Sequence, residues 1–167
     1  ITHAPRNEAG VAMQTALAKP TKKADYRVIP WATFTDPELA RVGLTENQAR
    51  DRYGDDVFVL KQGFDGVDRA LAESAGYGFA KFITKKDGEI LGAHIVGARA
   101  GELIHEAVLA MSNKLKVSAL QCIHVYPTLS EISPITALQL TKQKYAKNTF
   151  LQNCLRKFFN WRRSIAG

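Results

Sequence analysis

Side chains able to do chemistry cluster between Ile123 and Glu131, which read Ile-His-Val-Tyr-Pro-Thr-Leu-Ser-Glu. As a histidine, His124 is of the residue type suited to holding or moving a proton. The phenol of Tyr126, with a reference pKa of about 10, donates a hydrogen bond but is a poor base at pH 7. In a strand the two would point to the same side, because alternate residues share a face. Pro127 ends the run: it cannot donate to a ladder, and it biases Tyr126 toward extended geometry. A helix is expected just beyond. Thr128 or Ser130 can accept from the free amides of its first turn, and Glu131 lies where the positive end of the dipole favours a carboxylate. Tyr126 and Glu131 therefore share one tight corner, whose plain alternative is a strand-to-helix turn with no chemical role.

Other chemistries find less support. His3, His94, His105 and His124 share no ligand spacing and lack a cysteine or carboxylate constellation, so no metal site is expected. Cys122 and Cys154 make no disulfide framework, which suits a reducing compartment and a cytoplasmic location. Cys122 reads as a small buried apolar residue. No Gly-x-Gly-x-x-Gly and no βαβ alternation appears, which argues against a dinucleotide-binding domain in these residues. No apolar run is long enough to span a bilayer, and no secretory signal opens the chain.

The elements that must position the corner are those of one domain. With 167 residues, 46% apolar and 23% charged, the chain can bury a real core. Residues 1–18 read as a helix, and 19–25 as a polar connection. Arg27–Thr35 has strand composition, Asp36-Pro37 turns it, and 39–42 is a second short strand. Thr45 with Gln48 forms a capping-box pattern, predicting a helix through Tyr53 that stops at Gly54. A strand follows over 56–63, then an irregular or briefly helical stretch over 64–75. Residues 77–84 and 89–96 form a hairpin with Gly88 in its turn. The clearest helix is 101–114, with an apolar face broad enough to lie on a sheet. Helices are also expected over 130–148, with Pro134 in the early turns, and over 151–165. The fold class is α+β, an antiparallel sheet with helices packed on one face and a helical C-terminal extension.

The formal charge of +7 belongs to that extension. From Ile132 to Gly167 there is no Asp or Glu, while Lys142, Lys144, Lys147, Arg156, Lys157, Arg162 and Arg163 add seven positive charges, leaving residues 1–131 formally neutral. Leu151, Leu155, Phe158, Phe159 and Trp161 stand among them. The plainer reading packs these side chains on the protein with the cations in water. The sharper one lays the helix on a membrane surface. Specific nucleic-acid binding is not expected, since charge alone gives only nonspecific attraction.

Pro127-Thr-Leu-Ser-Glu131 resembles the motif that closes the active site of the flavin-dependent pyridine nucleotide-disulfide oxidoreductases, the family of dihydrolipoamide dehydrogenase, glutathione reductase and mercuric reductase. Three further stretches resemble that family's C-terminal dimerisation domain, in the family's order. They are Phe34-Thr-Asp-Pro-Glu-Leu-Ala-Arg-Val-Gly-Leu-Thr-Glu46, Gly78-Phe-Ala-Lys-Phe82, and Leu91-Gly-Ala-His-Ile-Val-Gly97 with Ala100-Gly-Glu-Leu-Ile104.

The resemblance implies a domain over 28–140, preceded by a remnant of the FAD domain and linker over 1–27 and followed by a basic helical tail over 141–167. The absence of an initiator Met fits a chain cut from a longer one. The resemblance also implies a two-fold homodimer in which each copy lends Tyr126 and Glu131 to its partner's flavin site. The family's disulfide reductases carry a His five residues before the Glu, holding a proton for a thiolate while the Glu orients the ring. Here that position is Tyr126, a substitution shared with mercuric reductases, and His124 matches the family's other common His. The adjacent cysteine pair of mercuric reductases is missing. The resemblance therefore implies a mercuric-reductase-like or dihydrolipoamide-dehydrogenase-like oxidoreductase of undefined substrate, with Tyr126 as donor and Glu131 as its orienting partner. FAD and NAD(P)H are implied for the intact enzyme, whose FAD and NAD(P) domains would lie in the same chain. The fragment itself is expected to bind neither and to be inactive alone. Ile1-Thr2-His3-Ala4 resembles the start of the last FAD-domain helix, making Thr2, His3 and Ala4 cofactor neighbours; the plain alternative is a capped surface helix. A different class of function, a stand-alone dimeric module using its basic tail at a membrane or acidic partner, is the alternative.

Overall fold

The computed structural model describes residues 3–17 and 26–165. Five strands form one sheet: β1 (Trp31–Thr33), β2 (Glu38–Gly43), β3 (Val57–Gly63), β4 (Phe79–Lys85) and β5 (Ile90–Gly97). Their order is β1-β2-β5-β4-β3, and every neighbouring pair is antiparallel. The β4–β5 hairpin turns at Gly88, whose φ of 93° lies in the left-handed region. The first expected strand is shorter than its composition suggested. Tyr26–Val28 is a 3-10 turn, and Pro30 offers no amide to a ladder, so pairing begins only at Trp31.

Alternation divides the sheet into two unequal faces. Phe58, Leu60, Phe82, Ala93 and Ile95 belong to the main core, with Ile104, Ala107, Ile132 and Leu140 from the helical layer. That layer comprises α4 (Ala100–Leu103), α5 (His105–Ser112) and α6 (Ile132–Lys147). The helix expected over 101–114 is thus interrupted at Ile104 and ends at Ser112. On the other face a smaller cluster gathers Val57, Ile83 and Leu91 under Ala49 and Tyr53. These last two come from α2 (Glu46–Tyr53), which keeps both arms of the expected capping box: the Gln48 N–H donates to Thr45 Oγ1 at 3.3 Å, and the Thr45 N–H to Gln48 Oε1 at 3.0 Å.

The motif glycine Gly97 has a steric reason. A Cβ there would stand 2.6 Å from the Phe64 ring, which fills the core against it. Phe64 leads into α3 (Asp68–Ala72), the brief helix of the irregular stretch. Two helices remain, α1 (His3–Leu17) and α7 (Thr149–Ile165). α6 closes the β3 edge of the sheet, where the Gln143 side chain donates to the Val59 carbonyl at 2.9 Å. It runs unbroken through residue 140. The break before α7 is at Asn148, whose side-chain oxygen accepts from the Leu151 N–H at 2.9 Å and caps the new helix.

No residue of α7 is buried, which corrects the reading that its aromatic residues pack on the protein. The packed elements already fill the core without them.

Candidate functional site

The corner is a loop anchored at both ends. Leu120, in the 3-10 turn Val117–Gln121, and Leu129, at the start of the turn Leu129–Glu131, are both buried in the main core. Between them the chain is not a strand but an irregular loop with a cis Tyr126–Pro127 peptide. This overturns the alternation that would have placed His124 and Tyr126 on one side. The His124 side chain is 9% exposed and turned inward, whereas Tyr126 is 66% exposed.

Each polar group of the loop has a defined use. His124 Nδ1 donates to the Cys122 carbonyl at 2.8 Å, and Nε2 meets Glu106 Oε1 at 3.0 Å, tying the loop to α5. Both nitrogens are thus occupied within the chain, and His124 has none free to replace the family histidine. The Thr128 hydroxyl donates to the Val125 carbonyl at 2.7 Å, and the Thr128 N–H donates to Glu131 Oε2 at 3.2 Å. Glu131 therefore stabilises the entry into α6. The Tyr126 hydroxyl donates to Asp68 Oδ2 at 2.8 Å, so its partner in the chain is Asp68 and not Glu131.

That hydrogen bond to Asp68, with the carboxylate's charge beside it and a smaller contribution from Glu131, raises the Tyr126 pKa above its ordinary value. The phenol stays protonated at neutral pH. The phenol's single proton is engaged by Asp68, so the arrangement holds a donor that must leave Asp68 to serve another acceptor, and it offers no base.

Ile123 and Val125 project from the same loop with no apolar cover. Cys122 is also exposed, which corrects its reading as a buried apolar residue. The anchored loop carries the side chains of Cys122, Ile123 and Val125 outward while Leu120 and Leu129 occupy the core positions.

Asp68 and Glu106 are the two site residues that sequence reasoning missed. They lie 58 and 18 residues from their partners, on segments with no local feature that points to the corner.

Of the proposed cofactor neighbours, Thr2 lies outside the described residues. His3 is exposed at the start of α1, and its Nε2 meets the Pro30 carbonyl at 2.7 Å. His3 and Ala4 border a groove of about 1070 Å³ that runs past Trp31 and Phe34 to His105. Among the described residues no group of three or more His, Cys, Asp or Glu side chains is placed to hold a metal ion. His94 hydrogen-bonds the Leu44 carbonyl at 3.0 Å from within the sheet.

Comparison with known proteins places this geometry in a family. A dihydrolipoyl dehydrogenase of Synechocystis sp. is 42% identical over 137 residues, covering 79% of this chain and 29% of that protein. A mercuric reductase of Staphylococcus aureus is 36% identical over 137 residues, covering 81% of this chain and 25% of that protein. The Cu(II) complex of the HOCl-induced flavoprotein disulfide reductase RclA from Escherichia coli superposes with a TM-score of 0.75 at 26% identity, covering 82% of this chain and 32% of that one. The chain thus spans about a quarter to a third of the length of these relatives. Residues 29–136 match the family described as pyridine nucleotide-disulphide oxidoreductase, dimerisation domain. With its antiparallel sheet, its helical layer and its anchored corner before α6, the chain belongs to that family.

Proposed function

We propose that this chain is the interface domain of an FAD-dependent pyridine nucleotide-disulfide oxidoreductase, forming a two-fold homodimer that presents the Tyr126 corner to the partner's flavin site. The observation that supports this reading most is the exposure of Ile123, Val125 and Tyr126 on a loop whose ends are buried. Apolar side chains held outward by a rigid frame suit a surface that another chain covers. In this reading 1–27 is the end of the FAD domain with its linker, 28–140 the interface domain and 141–167 a basic extension. Thr2, His3 and Ala4 would lie beside the flavin, which supplies electron transfer from NAD(P)H when bound. Tyr126 serves as a hydrogen-bond donor to the substrate or its thiolate by turning its one proton away from Asp68, which holds the phenol in place until then, and Glu131 holds the corner rigid. His124 joins the corner to α5 instead of moving a proton.

The exposed, unpaired thiols of Cys122 and Cys154 suit a reducing, cytoplasmic setting. No observation favours the stand-alone module over the interface reading, and the family match is to a dimerisation domain.

Light scattering across a dilution series tests the assembly. A mass twice that of the 18.5 kDa chain, returned to the single-chain value by the pair Ile123→Asp and Val125→Asp, is the expected result. A single-chain mass at every concentration would refute self-association by this domain.

A further inference from the structure

α7 has a face that leaves its large apolar side chains exposed among the described residues. At 3.6 residues per turn, Phe150, Cys154, Leu155, Phe158, Trp161 and Ile165 fall along one side of the helix, with Leu151 between them. Phe150 is 78% exposed and Trp161 61%. The opposite side carries Gln152, Arg156, Asn160 and Arg163; Lys157 stands at one border of the apolar arc, Phe159 lies beyond the other, and Arg162 falls within the arc between Leu151 and Leu155. At the border, Lys157 can extend its stem along the apolar surface and keep its charge at the edge, and Arg162 can snorkel its guanidinium out of the arc in the same way. At the junction with α6 the Gln152 side chain donates to the Tyr145 and Ala146 carbonyls at 2.9 and 3.2 Å.

From these observations we infer that α7 is a membrane-surface helix that lies in the headgroup region of an anionic bilayer. Charge selects this occupant. Every Asp and Glu of the chain precedes residue 132, and Arg156, Lys157, Arg162 and Arg163 have no carboxylate partner among the described residues. A second copy of α7 would bring the same cations together with no acid to offset them, whereas anionic lipids supply the missing negative charge. Trp161 with Phe150 and Phe158 gives the apolar arc the aromatic character suited to the headgroup boundary. At about 25 Å, the helix has the length to lie in the plane of the surface, and no helix of the described residues is long and apolar enough to cross a bilayer.

The test uses the 167-residue chain with Trp31→Phe, so that Trp161 is the single tryptophan. The probes are vesicles of phosphatidylcholine alone or with one third phosphatidylglycerol. The expected result is sedimentation with the anionic vesicles only, a blue-shifted Trp161 emission on binding, and weakening by salt. Each cation near an anionic surface is worth roughly a fivefold factor in partitioning, so the triple variant Arg156→Gln, Lys157→Gln, Arg163→Gln should bind roughly a hundredfold more weakly. Far-ultraviolet circular dichroism checks that the variant retains its helix. Absence of binding to the anionic vesicles would overturn the inference. Equal binding to neutral vesicles that the triple variant does not alter would also overturn it. A lipid-free blue shift that grows with protein concentration, with a doubled mass lost in Phe158→Asp, would assign the face to a second copy instead.

Discussion

α6 and α7 are consecutive helices of 16 and 17 residues, each with an apolar stripe, yet they meet opposite fates. α6 buries Ile132, Ala137 and Leu140 against the sheet and spends Gln139 and Gln143 on β3. α7 buries nothing. Periodicity defines an apolar face, but the supply of unfilled core decides whether the face finds cover within the chain.

The largest test of this contrast lies on α6. Ile132→Ala and Leu140→Ala should each cost about 2–4 kcal/mol, because the packed surroundings cannot collapse fully into the space left. Chemical denaturation would measure this as a lowered midpoint with an unchanged slope. A loss below about 1 kcal/mol at both sites would mean that α6 is packed no better than α7, and the contrast would fail.

A smaller effect is expected where α6 begins. Glu131→Ala removes the acceptor of the Thr128 N–H and should cost about 1 kcal/mol, the usual worth of a cap. Restoration by Glu131→Gln, which keeps an acceptor without the charge, would assign the effect to the hydrogen bond. Failure of Gln to restore stability would assign it to the dipole interaction instead.

The two helices also mark how far the sequence could be read. Features set by neighbours in the chain were legible: the Thr45–Gln48 box, the stop at Gly54, the Gly88 turn and the helical runs on either side of Asn148. The segment before β1 was misjudged because strand composition does not supply a ladder partner, and Pro30 withdraws an amide. At the corner the residue types were legible but their partners were not. His124 turned inward to Glu106 and Tyr126 found Asp68, both through contacts fixed by packing between distant segments. The outward aromatics of α7 belong with these, since an amphipathic pattern records a face and not what covers it.

Two pH measurements probe positions that differ in cover as the helices do. His94, half-buried in the sheet, has its pKa lowered first by burial and then by Arg41 and Lys81 beside it, while its bond to Leu44 opposes the shift. A depressed folded pKa means that protonation favours the unfolded chain. Its contribution is complete above the unfolded value of about 6.5 and is lost as pH falls through the folded pKa. Thermal unfolding in His94→Gln should therefore show a shallower loss of stability on acidification. At exposed Tyr126 the raised pKa has the opposite sign: the protonated phenol is favoured in the fold and is lost as pH rises through the folded value. Asp68→Ala should bring the Tyr126 ultraviolet titration back toward that of a free tyrosine. An unchanged titration would show that the hydrogen bond does not hold in solution.

The smallest expected effect divides the two helices most sharply. Phe158→Ala removes a large aromatic side chain, a change that in a core costs about 3–5 kcal/mol. On α7 the ring is half-exposed, and its ring contacts are with helix neighbours, Phe159 in an edge contact at 5.5 Å and Trp161 tilted at 6.1 Å. Its removal should alter unfolding in dilute aqueous solution by less than about 0.5 kcal/mol. A loss of several kcal/mol would place Phe158 in a packed interior within or between copies and would remove the distinction between α6 and α7. A near-zero change beside a large one at Ile132 would show that the same kind of sequence stripe serves the fold in one helix and is left free for a partner in the next.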